Sequence, residues 1–160
     1  NGKSENINNA LKNHIFKHHN RWEDPTKISL GELICIFDAD QCPNKDFFRT
    51  MIPRMNLSDD VALVLSPQKF NNVDPWCDIF NHYNIHFWHY IMSSLCSFDT
   101  IFCTGTNFLL RARALAEVDW FPTKSITEDF ELGIYLTIKN WKYEYIYEYL
   151  VVGDAPQSIR

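Results

Sequence analysis

Two uninterrupted apolar runs do most to limit how this chain can fold: Leu33-Ile34-Cys35-Ile36-Phe37 and Val61-Ala62-Leu63-Val64-Leu65. Neither alternates with polar residues, so both faces of each must be covered, the pattern of strands buried inside a sheet with helices on either side. The segments around them read as helices. Ile7, Leu11, Ile15 and Phe16 fall in register over about Glu5 to Lys17, and Pro43 is placed to open a helix that runs to about Met55. The stretch from His18 through Pro25 to Lys27 is loop-like, and a short helix is expected from Arg113 to about Val118. Ser125-Ile126-Thr127-Glu128 has the pattern of a capping box, ahead of a helix carrying Phe130, Ile134 and Ile138 to a stop at Asn140. Tyr143, Tyr145, Tyr147 and Tyr149 then alternate with Glu144, Ile146 and Glu148 as in a half-exposed strand. Strands alternating with helices predict an α/β fold with a largely parallel sheet, in one domain over residues 1–160.

One segment calls for comparison with a membrane span. From Ile79 to Phe98 there is no Asp, Glu, Lys or Arg. Asn81, His82, Asn84, His86, His89 and three serines interrupt it, however, which predicts an amphipathic helix instead. At helical spacing Phe80, Tyr83, Phe87, Ile91 and Leu95 share one face and His82, His86 and His89 the other. That histidine stripe fits a solvated or interface face better than a zinc site.

Composition narrows the function classes. With 46% hydrophobic and 15% aromatic residues the chain can bury a sizeable core. A net charge of −5 argues against a nucleic-acid partner, since phosphate backbones are held by an excess of Lys and Arg. Five widely spaced cysteines without a C-x-x-C pair fit reduced thiols in a cytosolic compartment. The chain begins without Met and shows no terminating signal at Gln157-Ser158-Ile159-Arg160, so it reads as a piece of a longer protein.

The first buried run ends in Asp38-Ala39-Asp40. Ligands of open α/β sheets bind beyond the carboxyl ends of strands, and two carboxylates spaced i, i+2 there suit Mg²⁺ or Mn²⁺ on a diphosphate. Taken alone, the triplet is equally well an acidic loop. Thr127-Glu128-Asp129 stands at a helix start, where the dipole favours ionised carboxylates and so a proton acceptor, but acidic first turns are also common as plain helix starts. Gly105, within Phe102-Cys103-Thr104-Gly105-Thr106-Asn107, permits close approach of a ligand or another backbone, and Lys3 near a helix start could meet phosphate.

In this order and spacing the segments resemble the cellulose-synthase-like, processive family 2 glycosyltransferases. Gly2-Lys3-Ser4-Glu5-Asn6-Ile7-Asn8 is similar to the family's G-K-A-x-N-L-N, with Ser4-Glu5 departing from it. Asp38-Ala39-Asp40 resembles its D-x-D, and Ser66-Pro67-Gln68-Lys69-Phe70 its T-P-Q-x-F. Phe102 to Asn107 is similar to F-C-G-T-N, with Thr104 altering the loop. Arg111, Arg113, Ala114 and Leu115 follow as in R-R-x-A-L, Thr127-Glu128-Asp129 as in T-E-D, and Asn140-Trp141 stands where the family has G-W.

The resemblance implies a GT-A-type nucleotide-sugar-binding fold, incomplete here because an upstream aspartate motif, a downstream Q-x-x-R-W motif and membrane helices would lie outside the chain. It implies inverting transfer of a sugar, glucose first, from a nucleoside diphosphate donor such as UDP-glucose to a growing polysaccharide such as a β-glucan. Asp129 would be the base and Glu128 would shape the acceptor side. Lys3, Asp38 and Asp40 would bind the donor, with Asp40 and Asp38 on Mg²⁺ or Mn²⁺. Cys103, Thr104, Gly105, Thr106 and Thr127 would meet the acceptor. It further implies a membrane-embedded parent, open to oligomerisation, with this segment at the cytosolic face of a membrane, the plasma membrane first. A haloacid-dehalogenase-type phosphotransferase also has a strand ending in D-x-D, but its D-x-D-x-T/V pattern has Cys42 in the last place here. A non-catalytic carbohydrate-binding domain does not need Asp38, Asp40 and Asp129 together.

Overall fold

The computed structural model describes residues 2–15, 33–74 and 76–156, with the side chains of residues 14 and 15 left aside. The loop expected around His18–Lys27 lies outside them. Both apolar runs are strands, β1 (Leu33–Ile36) and β3 (Val61–Leu65), and every residue of β3 is buried. A four-stranded sheet has the order β1, β5 (Phe108–Arg111), β3, β6 (Lys142–Tyr145). β3 pairs parallel with β6, whereas β5 is antiparallel to both β1 and β3. The expected largely parallel sheet is therefore mixed: β1, β3 and β6 share a direction, and β5 enters reversed between two of them. A smaller sheet places β7 (Val151–Gly153) between β2 (Cys42–Pro43) and β4 (Gln68–Phe70).

Helices cover both faces. On one side α2 (Phe47–Met55) buries Phe47, Met51 and Met55 with Val61, Val64 and Leu109. On the other, Trp88, Leu115, Leu132 and Leu136 surround Leu63, Leu65, Phe108 and Leu110. These come from α4 (Ala112–Glu117), α5 (Glu128–Ile138) and the helical stretch that leads into α3 (Met92–Ser97). At the amino end α1 (Lys3–Asn9) continues as a π-helical turn over Ala10–Ile15 and adds Leu11 to that cluster. Arg111 is buried at the end of β5, where it donates to the carbonyls of Val61 (2.9 Å), Met55 (2.8 Å) and Ser58 (3.4 Å) and ties the α2–β3 turn to the sheet.

Several local expectations are corrected. Pro43 does not open a helix: it pairs at an edge with Val151, where its missing N–H costs nothing, and α2 begins four residues later, after Asn44 Oδ1 accepts from the Asp46 N–H at 2.9 Å. The expected helix from Ile79 begins only near residue 85, because Asn81 and Asn84 take left-handed φ and Asp78 accepts from the N–H groups of His82 and Tyr83 at 2.8 Å. It is π-helical over Phe87–Ile91, where Trp88 faces the core with Met92 after it and Ile91 is exposed. Phe87 and Leu95 of the expected apolar face pack partly against the core, and Phe80, ahead of the helix, is exposed. The tyrosine alternation holds only through β6, since Ile146 turns inward. Among the described residues no helix is long and apolar enough to cross a membrane. All five cysteines are free thiols.

Candidate active site

Because β1, β3 and β6 run the same way, their carboxyl ends and the start of β5 share one edge of the sheet. The D-x-D turn leaves β1 at this edge. Asp38 donates its N–H to Thr106 Oγ1 (2.9 Å), and its carbonyl accepts from the Gln41 N–H (2.9 Å) to close a turn. Asp38 is half-buried and Asp40 exposed. The segment 101–107 reaches the same place from the opposite direction and ends in Asn107, whose N–H bonds the Ile36 carbonyl at 2.9 Å.

Lys3, at the start of α1, bridges these two segments. Its Nζ lies 2.5 Å from Asp38 Oδ1 and donates to the Gly105 carbonyl at 3.0 Å. Asn8, one turn later, clamps Phe121 through both backbone groups, donating to its carbonyl (2.8 Å) and accepting its N–H (3.1 Å). The helix that carries Lys3 is thereby fixed to the segment preceding α5.

Asp129, in the first turn of α5, closes the site. Gly105 has φ +75°, and a Cβ built on it would lie 2.8 Å from Asp129 Oδ2, so only glycine lets this carboxylate lie against the loop. Farther along α5, a Cβ on Gly133 would come within 2.6 Å of the Ile101 carbonyl, and Thr137 Oγ1 accepts the Ile101 N–H at 2.9 Å. These contacts press the helix onto residues 101–103. The expected capping box is not formed: Thr127, not Ser125, is at the cap position, and Ser125 Oγ accepts from the Thr127 N–H at 3.3 Å. Asp129 Oδ1 accepts the N–H of Phe130 at 2.8 Å.

Lys3, Asp38, Gly105 and Asp129 thus meet, with Asp40 on the outer side of the same turn. Thr104 and Gly105 are half-buried, Glu128 likewise, and Thr127 is exposed beside them. Thr106 is buried, its hydroxyl spent on Asp38. Cys103 is fully buried, so it can meet a ligand only through its backbone. Burial pushes its thiol up to about 12; the Gly105 backbone N–H partly offsets the rise and the Asp129 carboxylate adds to it. Sequence reasoning passed over Gln41 and Asn107 as site residues. The only signal was an Asn following Gly-Thr, a residue that tolerates left-handed φ, and Asn107 does have φ +61°.

Asp38 and Asp40 are hard oxygen donors at a strand end, with Asp40 outward and able to face a ligand. No third acidic, His or Cys partner joins them among the described residues. Such a set fits a divalent cation that takes its remaining ligands from phosphates, as Mg²⁺ does, and not an ion caged by protein alone. The histidine stripe is dispersed: His82 stands edge-on to Phe70, His86 stacks on Tyr90, and His89 Nε2 lies 3.3 Å from the Tyr149 hydroxyl. Trp88 and Trp120 are core residues, while Trp76 is 95% exposed.

Residues 33–160 match the family described as Glycosyl transferase family group 2. The chain belongs to that family. It is 32% identical over 160 residues to a UDP-forming cellulose synthase catalytic chain of Dictyostelium discoideum, covering 99% of this chain and 14% of the relative. It is 29% identical over 134 residues to "Glucomannan 4-beta-mannosyltransferase 1" of Oryza sativa subsp. japonica (81% and 25%). To the UDP-forming catalytic chain of cellulose synthase 1 of Komagataeibacter xylinus it is 26% identical over 139 residues (83% and 19%). The chain is therefore a cellulose-synthase-like glycosyltransferase segment that spans about a seventh to a quarter of the length of these relatives. The mixed α/β architecture accords with a GT-A-like domain.

Proposed function

We propose that residues 1–160 form one catalytic unit that transfers a hexose, glucose first, with inversion from a nucleoside diphosphate donor to the end of a β-glucan. The observation that carries this reading is the meeting of Lys3, Asp38, Gly105 and Asp129, brought from four separate segments to one sheet edge. Direct displacement at an anomeric carbon needs a base for the acceptor hydroxyl, relief of charge on the departing diphosphate, and alignment of the two. Asp129 takes the proton from the acceptor hydroxyl. Glu128 and Thr127 line the acceptor side, and the backbone of Cys103–Thr106 with the Thr104 hydroxyl forms a platform for the terminal sugar. Asp38 orients the sugar portion of the nucleotide, and Lys3 supports the phosphates when the donor displaces it from Asp38.

Asp40, with Asp38, would hold Mg²⁺ or Mn²⁺, which when bound supplies Lewis-acid relief of the diphosphate charge. A nucleotide-sugar donor and a polysaccharide acceptor follow from the kinship with cellulose and glucomannan synthases. The proposal also puts the unit on the cytosolic side of a membrane-embedded, oligomerisation-competent protein.

The test is a donor panel of labelled nucleoside diphosphate glucose, mannose and N-acetylglucosamine, given to membranes carrying the full-length protein, with linkage analysis of the polymer. β-Linked polymer from the glucose donor is expected. Uridine diphosphate binding, followed by calorimetry, should require Mg²⁺ or Mn²⁺ and be lost in Asp40→Asn. Metal-independent binding unchanged by that substitution would overturn the donor-site assignment.

A further inference from the structure

The D-x-D turn is encircled by hydrogen bonds that begin and end on the Asp38 backbone. The Asp38 N–H donates to Thr106 Oγ1 at 2.9 Å, and Thr106 Oγ1 lies 3.2 Å from Asn107 Oδ1, to which it donates. Asn107 Nδ2 donates to Gln41 Oε1 at 3.2 Å, and the Gln41 N–H returns to the Asp38 carbonyl at 2.9 Å. Gln41 Nε2 also points at Asp40 Oδ2, 3.5 Å away. Asn107 is wholly buried and has a left-handed backbone, so a polar side chain and an uncommon conformation are both committed to this ring.

The ring has an outer wall. A Cβ on Gly153, at the end of β7, would overlap the side-chain amide of Gln41. The φ of Gly153 is not in the left-handed region, so the backbone itself makes no demand for glycine there. What needs glycine is the room taken by the Gln41 amide, which is wedged between β7 and Asn107 in the second layer behind the carboxylates.

We propose that Gln41 is a positioning residue for donor binding: held between Gly153 and Asn107, it sets where the turn presents the Asp38 and Asp40 carboxylates. Gly153 and Asn107 therefore govern nucleotide affinity without touching the nucleotide. The proposal rests on the donor-site reading of Asp38 and Asp40. It adds that the small sheet, through β7, is coupled to that site.

Calorimetry of uridine diphosphate binding with Mn²⁺, on the full-length protein in detergent, tests it. Gln41→Ala and Gly153→Ala should each weaken binding about tenfold, the scale for losing a partner that orients a ligating group. The double variant should bind no more weakly than Gln41→Ala alone, because the new methyl then enters vacated space. Gln41→Ala also keeps the test open if Gly153→Ala fails to fold. Melting temperature on the same samples separates a merely structural role, which would lower stability and leave affinity in place. Affinity within twofold of the unaltered protein in Gln41→Ala, or additive losses in the double variant, would overturn the proposal. Asp40→Asn serves as the control: metal-independent binding unchanged in that variant sinks the donor-site reading, whereas its loss beside normal binding in Gln41→Ala and Gly153→Ala sinks only the positioning role of Gln41.

Discussion

The two acidic turns of the site are built differently, although each presents carboxylates at the same sheet edge. The turn of Asp38 and Asp40 is tied to its surroundings residue by residue: Thr106 takes the Asp38 N–H, Lys3 its carboxylate, and Asn107 the Gln41 amide. At Thr127-Glu128-Asp129 the side chain at the cap position makes no capping hydrogen bond to the helix, and Ile126 just before it is 99% exposed. That turn is located from behind, by Gly133 and Thr137 against Ile101 farther down α5. The first arrangement fixes atoms in a turn and the second fixes a helix axis. A donor held through charged oxygens tolerates little displacement of its ligands. On the proposed roles, the helix that carries Asp129 is fixed along its axis while its start stays open on the acceptor side.

The contrast can be broken most directly at Asp129. Asp129→Asn is nearly isosteric, keeps an acceptor for the Phe130 N–H and leaves the donor turn untouched. Turnover should fall at least about a hundredfold while uridine diphosphate affinity and melting temperature hold, as for loss of a positioned base. Turnover within a few-fold of normal would place the base elsewhere. A smaller effect is expected at Gly105, where both turns meet. Gly105→Ala puts a methyl 2.8 Å from Asp129 Oδ2 on a backbone with φ +75°. Displacing the proposed base by a fraction of an ångström should cost about tenfold in turnover. An unchanged rate would show that Asp129 does not need this approach.

How far this could be read in advance varies with the residue. The strand ends and the helix start around Glu128 were legible in the residue types themselves. The gathering of Lys3, Asp38, Gly105 and Asp129 was legible only through the family resemblance of the ordered segments, since each segment alone fits a loop, a turn or a plain helix start. The reversed strand was not. Phe108–Arg111 is four residues long, buried throughout, and ends in an arginine whose charge suggests a surface; three carbonyls satisfy that guanidinium inside the protein. The helix around residue 90 was misread in length, because Asn81, Asn84 and Asp78 delay its start, and in part of its face. Phe87 and Leu95 pack on the core as expected, but a π-helical turn adds residues per turn and rotates Ile91 outward and Trp88 and Met92 inward. The ring around Gln41 was hidden for another reason: its members stand at positions 38, 41, 106, 107 and 153, and no local pattern joins them.

The smallest effect tests the open character of the T-E-D turn. Ser125 with Glu128 reads as a capping box, and a side-chain cap of that kind is worth about 1 kcal/mol, so its loss would be measurable. In the structure Ser125 Oγ instead accepts from the Thr127 N–H at 3.3 Å and lies 3.4 Å from the Thr127 hydroxyl, both before the helix begins. Water can replace so exposed a pair at little cost. Ser125→Ala should therefore change stability by less than about 0.5 kcal/mol, the range of ordinary surface substitutions, and leave turnover unchanged. Chemical denaturation of the variant beside the unaltered protein measures it. A loss near 1 kcal/mol, the scale of a working cap, would mean that Ser125 caps α5 in solution and that the two turns are held more alike than their contacts suggest.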